Sequence, residues 1–461
     1  MKPALCVLLL LVAGLAHPAR LALPDYERIE LANGTVLLLS EKHDVPLIGM
    51  RAVVRGGSVT DPADKAGLTE LLAAVMQKGA GDRDGAEFAE AVARVGGQLS
   101  VNAEVEAVAV SAEFLSRDAE LMIELVSDLL RKPALSADEF AKERDRAVGL
   151  IKAAKDANPN DLMPYYANGF LFGEHPYGSP TIGSETSLAA IAHDDLVDHY
   201  NNHFGGDRLI ISAVGDFDLA AIKARLSAVF GNWEPAAGER LVVPAPETAP
   251  GPRVLLVDKP GATQTYFWFG DTGVAIDYPR RAEINLANTV FGGRFTSMLV
   301  TELRVNTGLT YNASSSVDRR SQPGSVMIKS FTETSKTTEA IDLAISVLGR
   351  LHDDGLDDDM LVSSRNYIMG QFPPRLETGS GLASMLAFIE QNGLDRSYID
   401  AYGAALAGAT QASVAQAIAE VYPDRNALVF VIVGDAQRIR DDVAKYGPVT
   451  EMTITEPRFR P

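Results

Sequence analysis

Arg304 and Tyr311 stand seven residues apart within "GGRFTSMLVTELRVNTGLTYNASSS" (292–316). The stretch reads as a glycine loop, an amphipathic helix carrying Met298, Leu299 and Leu303, and a strand rich in Thr, Tyr and Ser. An arginine closing the helix and a tyrosine in the strand could converge on one carbonyl or anion. The guanidinium gives charge-assisted hydrogen bonds and the phenol a second donor, which together suit a developing oxyanion. The elements' own preferences also explain both residues. A cation is favoured at a helix C-terminus, and a half-buried strand favours tyrosine. Spacing alone leaves both readings open.

The chain has seven histidines, two of them four apart in "DDLVDHYNNHF" (194–204). On a helix, His199 and His203 could chelate one metal ion, with Asp194, Asp195 and Asp198 nearby. No glutamate lies between them and no third ligand stands at an obvious spacing. Leu196, Val197, Tyr200 and Phe204 read as the packing face of that helix, and the polar remainder as its solvated face. "FGGRFTS" (291–297) follows a helix and lacks the Lys-Ser/Thr of a phosphate loop. No Gly-x-Ser-x-Gly elbow occurs.

These residues are carried on a chain written twice. Strands opening at Val36 and Val254, and strands closing on Val-Gly-Asp at 209–216 and 428–435, recur with an offset of about 219 residues. "LLRKPALSADEF" (129–140) and "LGRLHDDGLDDDM" (348–360) repeat at nearly the same offset, each between two helices. Further strands are expected at 50–55, 105–112 and 262–269. Strands mixed with helices, without strict βαβ alternation, predict an α+β fold of two homologous α/β half-domains. Their expected limits are 23–233 and 254–461, joined by a Pro/Ala/Gly-rich linker at 234–253.

In "GLTELLAAVMQKGAG" (67–81), Leu68, Leu71, Leu72, Val75 and Met76 form one apolar stripe of a helix. Its other side carries Glu70, Ala73, Ala74 and Gln77, an unusual set for a solvated face.

With 461 residues, 46% of them hydrophobic, the chain can bury a large core. A net charge of −19 argues against nucleic acid as a partner. Lys2, the apolar run 4–15 and small residues before a cut after Ala16 predict a signal peptide over 1–16, with cleavage there or a few residues later. No membrane span is expected once it is removed, and the exported chain is expected in the periplasm. The single cysteine, Cys6, lies inside the leader, so no disulfide or thiolate site is expected.

Taken together, these motifs resemble the M16 family of zinc peptidases, which includes pitrilysin and the mitochondrial processing peptidase. The resemblance spans nearly all of the mature chain. It rests on 55–80, "VGGQLSVNAE" (95–104), "EHPYGSPTIG" (174–183), both Val-Gly-Asp strands and "LRVNTGLTY" (303–311). It implies an M16 metallopeptidase-like (LuxS/MPP-like) fold forming half of a clamshell.

The family's inverted His-x-x-Glu-His motif falls on Glu70, Ala73 and Ala74, and its third ligand falls on Leu150, seven residues after Glu143. Alanine and leucine have no lone pairs to offer, so no metal or other cofactor is expected in this chain. The Arg/Tyr signature falls on Arg304 and Tyr311. The resemblance therefore implies a subunit inactive alone, paired with a homologous subunit that has an intact inverted motif and brings Zn2+. In that pairing, a heterodimeric M16B endopeptidase acting on peptides, Arg304 and Tyr311 would bind the substrate carbonyl and stabilise the transition state. Asn102, Ala103, Gly292, Gly293 and Phe295 would hold the peptide. The alternative is a catalytically inactive M16-like binding or scaffold protein.

Overall fold

The computed structural model describes residues 22–247 and 251–461. The expected signal peptide lies outside these residues. The strands are β1 (Glu27–Glu30), β2 (Val36–Glu41), β3 (Leu47–Arg55), β4 (Gln98–Ala103), β5 (Ala107–Leu115) and β6 (Leu209–Gly215) in the first half. The second half contributes β7 (Arg253–Asp258), β8 (Gln264–Thr272), β9 (Ala313–Val317), β10 (Ser325–Glu333), β11 (Val429–Gly434) and β12 (Val449–Thr453). These form two six-stranded sheets, ordered β1-β2-β6-β3-β5-β4 and β9-β10-β8-β11-β7-β12, and the two-residue strands Gly79–Ala80 and Arg83–Asp84 pair separately as a small third sheet. The expected strands at 105–112 and 262–269 begin two residues later than anticipated and run three further.

The duplication is visible in the pairing. β2 runs parallel to β6, with Val36 opposite Ile210, and β7 runs parallel to β11, with Val254 opposite Phe430. The sixth strand breaks the symmetry. β1 enters antiparallel to β2 from the chain's beginning, whereas β12 returns from the C-terminal end to lie parallel to β7.

β6 and β11 are buried along their whole length, so both faces of each sheet must be covered. The cover is exchanged between halves. The helix Met163–Phe172 of the first half packs on β8 and β11, while the helix Gly379–Gln391 of the second packs on β3 and β6. Leu37 and Leu39 of β2 join the first half's core, and their alternate neighbours Val36 and Leu38 join the second's. Period-two alternation thus feeds two cores from one strand. The approach is closest at Gly49 of β3, where a Cβ would come 2.3 Å from the Ser380 backbone nitrogen. Arg28 on β1 fastens the far end of the exchanged helix by donating to Glu390 at 2.9 Å. Residues 234–247 form no helix or strand.

Candidate functional site

Arg304 lies in a π-helical turn, Thr301–Asn306, that continues the short helix Met298–Val300. Tyr311 is in the following loop rather than in a strand, since β9 begins only at Ala313. The loop is fixed from its backbone. Thr310 N–H donates to Leu303 at 3.1 Å, Thr332 Oγ1 donates to the Leu309 carbonyl at 2.7 Å, and Gly308 turns the chain at φ 68°. That turn folds Tyr311 back over the helix end. The Arg304 guanidinium carbon sits 4.4 Å from the Tyr311 ring centre and 4.7 Å from that of Phe295.

Tyr311 is 71% exposed and Phe295 68% exposed. Among the described residues the Arg304 guanidinium forms no ion pair or hydrogen bond, nor does the Tyr311 hydroxyl bond to anything. A cation oriented by two rings keeps its N–H donors free for a ligand.

The other expected peptide-contacting residues lie on two elements. Gly292 and Gly293 follow the helix Arg281–Phe291, and the Gly292 carbonyl accepts from Ser315 N–H at 3.3 Å, tying the loop to β9. Asn102 and Ala103 lie on β4, an edge strand. Glu104 N–H donates to Ala107 on the inner side, so by antiparallel alternation Asn102 pairs inward and Ala103 turns its main-chain groups outward. The outward groups of Val101 are already taken. Gln77 Nε2 donates to the Val101 carbonyl and Gln77 Oε1 accepts from its N–H, both at 3.3 Å. By the same alternation Leu99 and Ala103 turn their main-chain groups outward on either side of the pair held by Gln77.

The motif positions on the helix Leu68–Met76 cannot assemble a zinc site. Ala73 and Ala74 carry no donor atom, Ala73 is packed into the core rather than facing the open side, and Leu150 is a solvent-exposed aliphatic. Among the described residues no group of three or more His, Cys, Asp or Glu side chains could hold a metal. Glu70 remains, with burial raising its pKa against the pull of Arg146.

An ion-pair cluster lies alongside. Glu143 takes Lys78 at 3.0 Å and Arg146 at 2.7 Å. Burial pushes the Glu143 carboxyl up, but hydrogen bonds from the two cations outweigh it and hold the group below the usual range.

His199 is not on a solvated face as expected. It is buried against the helix Leu68–Met76, with Nε2 2.9 Å from Thr69 Oγ1 and 3.8 Å from Asp61. Asp61 also accepts from the Gly67 and Thr69 N–H groups at 2.9 and 3.0 Å, capping that helix. Burial, with a smaller contribution from the neighbouring His203, lowers the His199 pKa to about 3. Burial raises Asp61 to about 7 against its hydrogen bonds from Thr69 and Gly67. A neutral imidazole can donate from Nε2 to Thr69, whose hydroxyl donates on to Asp61. Neither Thr69 nor Asp61 is flagged by residue spacing; only the fold brings them to His199.

Two family models match the chain: "Insulinase (Peptidase family M16)" over 36–185 and "Peptidase M16 inactive domain" over 190–367. An uncharacterized zinc protease of Mycobacterium tuberculosis is 26% identical over 339 residues, covering 73% of this chain and 77% of its own. The non-peptidase homolog YmxG of Helicobacter pylori is 23% identical over 347 residues, covering 74% and 78%. The crystal structure of a peptidase M16 inactive domain from Pseudomonas fluorescens superposes with a TM-score of 0.83 at 21% identity, covering 89% of this chain and 98% of that one. With two M16 models matched in order and the fold shared over 89% of its length, this chain belongs to the M16 peptidase family, and it carries that fold without the family's metal-ligand set.

Proposed function

We propose that this chain is the zinc-free subunit of an exported, periplasmic, heterodimeric M16 peptidase, contributing Arg304 and Tyr311 to peptide binding and transition-state stabilisation. The observation that carries the reading is the Arg304 guanidinium, unpaired among the described residues and set against the rings of Phe295 and Tyr311, in a chain whose motif keeps one carboxylate, Glu70, and has Ala74 and Leu150 at the other ligand positions. A structural arginine at an exposed helix end would ordinarily find a carboxylate or the helix carbonyls. Here it lies against two rings, and among the described residues its donors are free.

In this reading the metal chemistry belongs to a homologous partner with an intact inverted motif. Arg304 and Tyr311 donate to the scissile carbonyl oxygen, where negative charge grows in the transition state. The outward main-chain groups of Ala103, beside Asn102, and the Gly292–Phe295 loop support the peptide backbone, the former by strand addition. The experiment is reconstitution. Each chain alone should leave a peptide library intact and the mixture should cleave it. A stable homodimer that binds peptides and gains nothing from such a partner would favour a scaffold role instead.

A further inference from the structure

A second cationic site lies behind the Gly292–Phe295 loop. Arg281, in the first turn of its helix, Arg319, in the loop after β9, and Arg375, on the short helix Pro374–Glu377, line one cavity of about 480 Å3. Among the described residues no aspartate or glutamate lines it, although the chain has 61 acidic residues against 42 Lys and Arg. None of the three arginines has an ion pair among the described residues. The Arg281 guanidinium lies 3.4 Å from the ring centre of Tyr398 and 4.2 Å from that of Tyr402. Arg319 Nη1 is buried without any hydrogen-bond partner. The nearest acid in sequence, Asp318, is bound to Arg320 at 2.7 Å.

A guanidinium donor buried without an acceptor costs free energy that an anion in the cavity would recover. Ile368, Phe372, Met385 and Phe388 add an apolar wall to the same cavity. A bare inorganic anion has no use for such a wall. We propose that this cavity binds the C-terminal end of a peptide, its free α-carboxylate on Arg281, Arg319 and Arg375 and a hydrophobic last side chain on the apolar wall. Gly293 lines the same cavity, so the site borders the loop assigned above to peptide binding. The peptide as ligand rests on that assignment, but the anchoring is read on the isolated chain without any partner. Burial lowers the pKa of Arg319, in line with a site that is costly when empty.

The test is fluorescence anisotropy of the isolated chain with a labelled octapeptide ending in leucine, as free acid and as C-terminal amide. The free acid should bind at least tenfold tighter than the amide. Arg319→Met and Arg375→Met should each erase that preference, and Arg319→Met should raise the melting temperature of the ligand-free protein. A merely structural Arg319 would lower it. Equal binding of acid and amide would overturn the proposal. So would an amidated peptide with an internal glutamate binding as tightly as the free acid, or inorganic phosphate displacing it stoichiometrically. Failure of the oxyanion reading would appear elsewhere, as unchanged hydrolysis by Arg304→Ala in the reconstituted pair, and would leave the acid–amide difference intact.

Discussion

The Arg304 guanidinium lies 4.4 Å from the centre of the Tyr311 ring and, among the described residues, pairs with no carboxylate. The ring orients the cation and the hydroxyl adds a donor, and the two contributions can be separated. Tyr311→Phe keeps the ring and removes only the donor. In a reconstituted pair it should lower kcat by about tenfold or more with little change in KM. Because Tyr311 is 71% exposed, the unfolding free energy should move by less than about 0.5 kcal/mol. Steady-state kinetics beside thermal melts check both parts.

The Asp61–Thr69–His199 network makes a signed pH prediction. His199 titrates near 3 when folded, against 6.5 as a free side chain. The unfolded chain therefore takes up that proton first, and this group alone loses stability as pH falls from about 6.5 toward 3. Asp61 titrates near 7 when folded, against 3.8. The native state holds that proton more tightly, and this group alone gains stability as pH falls from about 7 toward 4. The two nearly cancel between about pH 4 and 6.5 in the parent protein. Asp61→Asn should therefore destabilise more at pH 4.5 than at pH 7.5, by about 1 kcal/mol or more, and His199→Gln should show the opposite trend. Denaturant titrations at the two pH values decide it.

Lys78→Met should cost about 1 kcal/mol at pH 7, a modest figure because Arg146 still reaches Glu143 and both cations touch solvent. The folded carboxyl pKa is depressed, so this contribution is present above the unfolded pKa and fades as pH drops through the folded one. The difference between Lys78→Met and parent should shrink in acid, as measured by denaturant unfolding.

Much of the architecture was legible in the sequence because it is local or periodic. The repeated Val-Gly-Asp strands, the apolar stripe on Leu68–Met76 and the proline-bearing segment each announce themselves in a short window. By resemblance, Glu70, Ala74 and Leu150 could be aligned with metal-ligand positions and Ala73 with the motif's glutamate. Contacts made across the fold were not legible. Nothing near Met163 or Gly379 says that each helix covers the other half's sheet, since apolar periodicity records that a face is buried but not by what. Tyr311 was expected in a strand from its β-forming neighbours, but the turn at Gly308 and the bonds from Thr310 and Thr332 hold it in a loop. Ala73 was expected on the open side of its helix and proved to be core. The three arginines of the second cavity are spread from 281 to 375 and share no motif.

The exchanged helices make the two halves one cooperative unit. Calorimetry should show a single unfolding transition. Gly49→Val should lower its midpoint sharply, since a side chain at Gly49 meets the Ser380 backbone and overpacking costs about 1–3 kcal/mol or more. Two resolved transitions, with only one shifted by Gly49→Val, would contradict this packing account.

The central claim is that this chain lends donors to a reaction it cannot perform alone. The most direct measurement is kcat/KM for peptide hydrolysis by the reconstituted pair, with parent chain and with Arg304→Ala. The account predicts activity only in the pair, and a loss of about 100- to 1,000-fold with Arg304→Ala at unchanged complex formation. Full activity of the Arg304→Ala pair, or of the partner without this chain, would contradict it.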